Sequence, residues 1–331
     1  MLLQVKNLST EFPVKGGIVP AVDDVSFSVD QGQTLAIVGE SGSGKSVTAL
    51  SIMGLLAEPG RITSGSIVFE GHELRSLPEK DYRELRGRDM AMIFQEPMTS
   101  LNPVYRIGEQ IAEAIRTHTE LKKAAAWAQA IDLLQRVGIP EAKQRASDYP
   151  HQMSGGMRQR VMIAMALACN PHLLIADEPT TALDVTIQAQ ILDLINRLQA
   201  ETQMAVLLVT HDLGVVSETA DLVVVMYCGR VVESAGVRSL FNTPLHPYTL
   251  GLLNSVPQID ATDDSKHLYM IRGSVPNPLA MPPGCHFSDR CDYCRSICQQ
   301  ETPPTITLGD NHQVACHLYD GLDGSAEKSL L

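Results

Sequence analysis

Residues 39–46 read Gly-Glu-Ser-Gly-Ser-Gly-Lys-Ser, a spacing suited to holding a polyphosphate. Glycine lets backbone N–H groups turn toward an anion, and a helix N-terminus behind them adds its positive dipole end. Gly39, Ser41, Gly42 and Gly44 would form that cradle, Lys45 would reach the β- and γ-phosphates, and the Ser46 hydroxyl would complete a Mg²⁺ shell. The flanks agree, since Thr34 to Val38 reads as a buried strand and Val47 to Leu56 as a helix. A Gly/Ser stretch that merely turns the chain is the plainer alternative, and this setting disfavours it. A second acidic locus lies downstream, where the apolar run Leu173 to Ala176 ends in Asp177 and Glu178. Such a strand would aim Asp177 at a metal held by Ser46, while Glu178 positions or polarises an attacking water. Five of the seven cysteines crowd into the last fifth of the chain: Cys285, Cys291, Cys294, Cys298 and Cys316. Without a recognisable secretion signal, that crowding points to metal before disulfides, and thiolates so spaced suit either zinc or an iron–sulfur cluster. Cys169 and Cys228 stand alone in apolar segments and read as core residues.

These groups need a scaffold, and the chain can build one. At 331 residues it is long enough for about two domains. A hydrophobic share of 44% against 19% charged residues permits a sizeable core. The 26 Lys and Arg against 38 Asp and Glu leave a net charge of −12, which argues against a sequence-independent grip on nucleic-acid phosphates. No apolar run approaches the ~20 residues of a membrane-spanning helix, so membrane association would come through partners. Short strands joined by turns are expected over residues 1–38, at Leu2 to Val5 and Val25 to Val29, with Lys15-Gly16-Gly17 as a turn. Gly65 to Gly71 and Met90 to Gln95 follow as strands. From Ile107 to about Gln144 the apolar period turns helical, then helix and strand alternate: 155–168, 173–177, 187–198 and 205–210. That alternation implies a mostly parallel sheet covered on both faces.

Taken in order, these motifs resemble the ATP-binding subunits of ABC transporters over roughly residues 1–235. Ser154-Gly155-Gly156 matches the core of the family signature, although Met153 and Met157 depart from its commonest flanks. Gln95 matches the Q-loop glutamine, Ala182-Leu183-Asp184 the D-loop, and His211 the switch histidine; Phe12 falls where an aromatic ring would stack on adenine. The resemblance implies a P-loop NTPase of α/β class, with a RecA-like mostly parallel sheet, an antiparallel β subdomain and an all-helical insert over about 96–155. A small Cys-rich C-terminal domain would occupy 236–331. It also implies an ATP hydrolase using Mg²⁺ held by Ser46 and Gln95, with Glu178, His211 and Gln95 at the reaction. Ser154, Gly155, Gly156 and Asp184 would act on nucleotide shared with a facing subunit, and Met157 raises the expectation that two such sites are unequal.

The stretch Glu96 to Pro103, with His246-Pro247-Tyr248-Thr249 and Leu252-Leu253, is similar to the dipeptide and oligopeptide importer ATPases, a group that includes nickel and glutathione importers. The D-type subunit is the nearest resemblance. It implies an F-type partner ATPase, two membrane permeases and an extracytoplasmic solute-binding protein, with the chain peripheral on the cytoplasmic face of the plasma membrane. It further implies a structural [4Fe–4S] cluster on Cys285, Cys291, Cys298 and Cys316, with zinc, or free thiols and partial disulfides, as the alternatives and Cys294 a spare thiol or alternative ligand. The competing reading is a soluble ABC ATPase acting on ribosomes or nucleic acid. A single ATPase unit, a short insert and the acidic balance weigh against it.

Overall fold

The computed structural model describes residues 1–95, 100–181, 183–256, 270–309 and 311–321. Glu96 to Thr99 and Ala182, which carry parts of the importer-like stretch and of the D-loop, lie outside the described residues. In chain order the elements are β1 (Leu3–Val14), β2 (Gly17–Val29), β3 (Thr34–Val38), α1 (Lys45–Met53), β4 (Arg61–Phe69), β5 (His72–Glu73), α2 (Glu79–Leu85), β6 (Met90–Ile93), α3 (Ile107–His118), α4 (Lys123–Arg136), α5 (Ala142–Arg145) and α6 (Gly155–Ala166). There follow β7 (Leu173–Asp177), α7 (Val185–Thr202), β8 (Ala205–Thr210), α8 (Leu213–Thr219), β9 (Leu222–Tyr227), β10 (Arg230–Gly236), α9 (Val237–Asn242), α10 (Pro247–Asn254), β11 (Thr305–Leu308) and β12 (His312–Ala315). The chain forms two compact units, one of residues 1–2, 29–34 and 69–209, the other of residues 3–28, 35–68 and 210–331.

The first unit carries the parallel strands β6, β7 and β8, with Met90 opposite Leu173 and Leu173 opposite Ala205. Every residue of β7 and β8 is buried, as in a parallel sheet covered on both faces. Each Leu, Ile or Val so buried contributes roughly 1.5–3 kcal/mol. Polar side chains are therefore confined to strand ends, where Asp177 stands. The helical insert packs by period: Ile107, Ile111 and Ile115 of α3 and Ala126, Ala130 and Leu134 of α4 are all buried. The helical signal read from 107 to 144 resolves into three helices, because Gly138 and Pro140 interrupt it and residues 119–122 turn the chain.

In the second unit β3 runs parallel to β9, with Leu35 opposite Leu222, and β10 returns antiparallel to β9. β12 then pairs with β10 and β11 with β12, so residues 305–315 extend this same sheet. β2, β1 and β4 make a separate antiparallel sheet. Here β1 and β2 are 12 and 13 residues long rather than the short strands expected. Apolar alternation runs only through Leu3, Val5 and Leu8; pairing with neighbours carries the strands on through half-buried positions. Glu233 of β10 is wholly buried and well partnered. It accepts the backbone N–H groups of Leu245 (2.8 Å) and His246 (2.9 Å), and His312 Nε2 lies 2.7 Å from it. That carboxylate ties β10 to β12 and to the start of α10, which offsets the cost of its burial. Among the described residues no helix is long and apolar enough to cross a membrane.

Candidate functional site

The phosphate loop leaves β3 at Val38 and enters α1 at Lys45, two residues earlier than the apolar pattern suggested. Gly39 and Gly44 are required sterically: φ is +153° and +102°, and a Cβ would meet the carbonyls of Met226 and Ala21 respectively. Gly44 is the N-cap of the nine-residue α1 and makes no side-chain hydrogen bond to it. Gly42 is also left-handed, at φ +80°. Lys45 is buried, and its ammonium donates to the carbonyls of Gly39 (2.8 Å) and Glu40 (3.0 Å). Ser41 is exposed and Ser46 half-buried on the same loop. A glycine-built loop, a helix N-terminus behind it and a lysine held against the loop carbonyls suit a triphosphate.

In the first unit, Asp177 is buried at the end of β7 and Glu178 follows it, half-buried, in the left-handed region at φ +46°. A non-glycine residue held there costs on the order of 1–3 kcal/mol, and such conformers gather at working sites. One carboxylate oxygen of Glu178 accepts from Gln95 Nε2 (3.0 Å) and Thr181 Oγ1 (2.8 Å). Gln95 and Glu178, far apart in sequence, are thus brought together. Thr181 was missed by sequence reasoning, although a hydroxyl three residues after the glutamate was the available signal.

Ser154 caps α6, its Oγ accepting the Met157 N–H at 3.3 Å. Met153 is buried, so the unusual flank keeps an apolar role. A Cβ on Gly156 would lie 2.8 Å from Ile187 Cγ2, and one on Gly155 would lie 3.6 Å from Leu183. The signature therefore abuts the D-loop, where Asp184 caps α7 by accepting the Ile187 N–H at 2.9 Å. In the second unit, His211 is exposed just past β8, ahead of the α8 cap Asp212. Phe12 is half-buried on β1, its ring packed against Gly60.

The cysteine-rich tail departs from expectation. All seven cysteines are free thiols, and among the described residues no group of three or more His, Cys, Asp or Glu side chains is placed to hold a metal ion. The [4Fe–4S] cluster expected on Cys285, Cys291, Cys298 and Cys316, and the zinc alternative, are not supported by this arrangement. Burial disfavours the thiolate form of these free thiols. It pushes the Cys285 thiol up, Cys291 up to about 11 and Cys316 up to about 12. Arg295 takes up two others: its N–H donates to Cys298 Sγ at 3.4 Å, and its carbonyl accepts from Cys294 at 3.5 Å. The neighbouring imidazoles are engaged too, His286 with the Cys228 carbonyl (3.1 Å) and His317 with Asp320 (2.7 Å). Cys228 is buried as expected; Cys169 is only half-buried, its thiol 3.9 Å from the Ala114 carbonyl.

Comparison with known proteins agrees with the phosphate loop and with the tail's peptide-importer motifs. Residues 22–181 match the ABC transporter family model, and residues 232–298 match the model for the oligopeptide/dipeptide transporter C-terminal region. The oligopeptide transport ATP-binding protein AppD of Bacillus subtilis is 55% identical over 329 residues, covering 99% of both chains. OppD of Escherichia coli, also an oligopeptide transport ATP-binding protein, is 52% identical over 302 residues, covering 91% of this chain and 89% of its own. Among solved structures, a dimeric ATP-binding cassette in a post-hydrolysis state with ADP and Pi superimposes with a TM-score of 0.65 at 27% identity. That match covers 72% of this chain and 99% of the cassette.

Proposed function

The chain belongs to the ABC transporter ATP-binding proteins of the oligopeptide type, and on that premise we propose how it powers peptide import. It is an ATP hydrolase coupled to transport, working with membrane permease subunits and a substrate-binding protein. The observation that carries the chemistry is Glu178, held left-handed beside buried Asp177 and bonded to Gln95 and Thr181. Gly39 to Ser46 would hold the phosphates of ATP, and Ser46, Gln95 and Asp177 would hold Mg²⁺. The metal, when bound, neutralises phosphate charge. Glu178 would orient the attacking water and accept its proton, and His211 would steady the γ-phosphate end. Ser154, Gly155, Gly156 and Asp184 would serve nucleotide bound to a facing chain, so closure of two chains couples ATP occupancy to motion.

We take the facing chain to be a distinct F-type ATPase, the complex to sit on the cytoplasmic face of the plasma membrane, and 236–331 to be the region particular to peptide importers. Phe12 would stack on adenine. Action on ribosomes or nucleic acid is set aside, because the relatives covered almost end to end are transport ATP-binding proteins and the charge is −12. The test is ATP hydrolysis by the complete transporter in vesicles. Peptide and binding protein should stimulate turnover; a rate indifferent to both would refute peptide coupling.

A further inference from the structure

Glu40 is an acid inside a loop that must accept a triphosphate. Its surroundings show how that charge is managed. Arg290, 250 residues away in sequence, donates from Nη1 to Glu40 Oε2 (2.7 Å) and from Nη2 to Glu40 Oε1 (3.1 Å), a two-pronged ion pair. The arginine side chain is only 6% exposed and the glutamate 28%. Arg290 is itself fixed: its Nε donates to the Arg272 carbonyl at 2.9 Å, and Nη1 lies 3.3 Å from the Tyr227 hydroxyl. Its guanidinium carbon sits 5.9 Å from the Phe287 ring centre and 5.7 Å from that of Tyr227. The Glu40 backbone is held from the same region, since its N–H donates to the Tyr248 hydroxyl at 2.8 Å. The Glu40 carbonyl, in turn, accepts from Lys45.

Resting on the reading of 39–46 as the nucleotide loop, we propose that Arg290 is a positioning residue that neutralises Glu40, so that the C-terminal region sets the loop's readiness for ATP. A salt bridge serving only to dock the C-terminal region would affect stability alone. A neutralising one has a different signature: removing the arginine strands a carboxylate beside the phosphates, and removing the carboxylate as well repairs the damage.

The full chain is titrated with a fluorescent ATP analogue and Mg²⁺, with thermal melting alongside. Arg290→Gln should weaken binding about tenfold, and Glu40→Gln combined with it should return affinity to within about twofold of the parent. Arg290→Lys keeps the charge but loses the two-pronged fork, so it should weaken binding by less than the glutamine variant's loss of about tenfold, which supplies a readout should that variant not fold. The inference is overturned if Arg290→Gln lowers only the melting temperature. It is equally overturned if the double variant binds no better than the single, or if the lysine variant loses about tenfold. Lys45→Ala separates the two ideas. Lost binding in Lys45→Ala with normal binding in Arg290→Gln sinks only the role of Arg290, whereas normal binding in Lys45→Ala sinks the loop assignment and this inference together.

Discussion

A carboxylate can act as a base only where something holds it, and Glu178 is held three ways. Gln95 and Thr181 donate to its side chain, and its own N–H donates to the Val209 carbonyl at 2.9 Å. Glu178→Gln keeps the shape and removes the basicity, so turnover should fall about a hundredfold or more while nucleotide binding persists. Single-turnover hydrolysis beside equilibrium binding reads both; retained turnover would reassign the base. The pair Asp177-Glu178 was legible in the sequence, because an apolar strand ending in two acids is a local pattern. The grip of Gln95 was not: the hydrogen bond spans 83 residues and exists only once β6 and β7 lie side by side.

At the scale of elements, glycine in the signature packs helices as well as approaching phosphate. Gly156→Ala would drive a methyl into the β-branched Ile187, whose χ1 is stiff. A loss of about 1–3 kcal/mol in chemical denaturation is expected, relieved by adding Ile187→Ala; an unchanged midpoint would refute the contact. The start of α10 offers a second prediction. His246 is buried, and its Nδ1 accepts the Tyr248 N–H at 3.0 Å, which needs a neutral ring. Burial pushes its pKa from 6.5 down to about 4, with Glu233 opposing. The unfolded chain takes up a proton near 6.5 and the folded one does not, so stability is full above that pH. It then falls by on the order of 3 kcal/mol as the pH drops toward 4. His246→Asn, which can still cap α10, should flatten the slope of denaturation midpoint against pH between those values. A slope identical to the parent's would place the titration elsewhere.

For the molecule as a whole, the sequence determined what is local. A phosphate loop, an acid-ended strand, a signature and a switch histidine each fit within about ten residues, where spacing alone fixes which groups can meet. Buried strands such as Thr34–Val38, Leu173–Asp177 and Ala205–Thr210 were readable to the residue, because a parallel strand covered on both faces has no polar position to blur it. The tail shows the opposite case. Cysteine spacing suggested a metal, yet spacing along a chain does not fix how side chains are placed, and among the described residues no group of three or more His, Cys, Asp or Glu is placed to hold one. Tertiary structure also decided the partner of Glu40, since no local pattern links it to Arg290 across 250 residues. Short-range chemistry was written in the order of residues; neutralising a charge inside the phosphate loop required the fold to bring the far end of the chain to it.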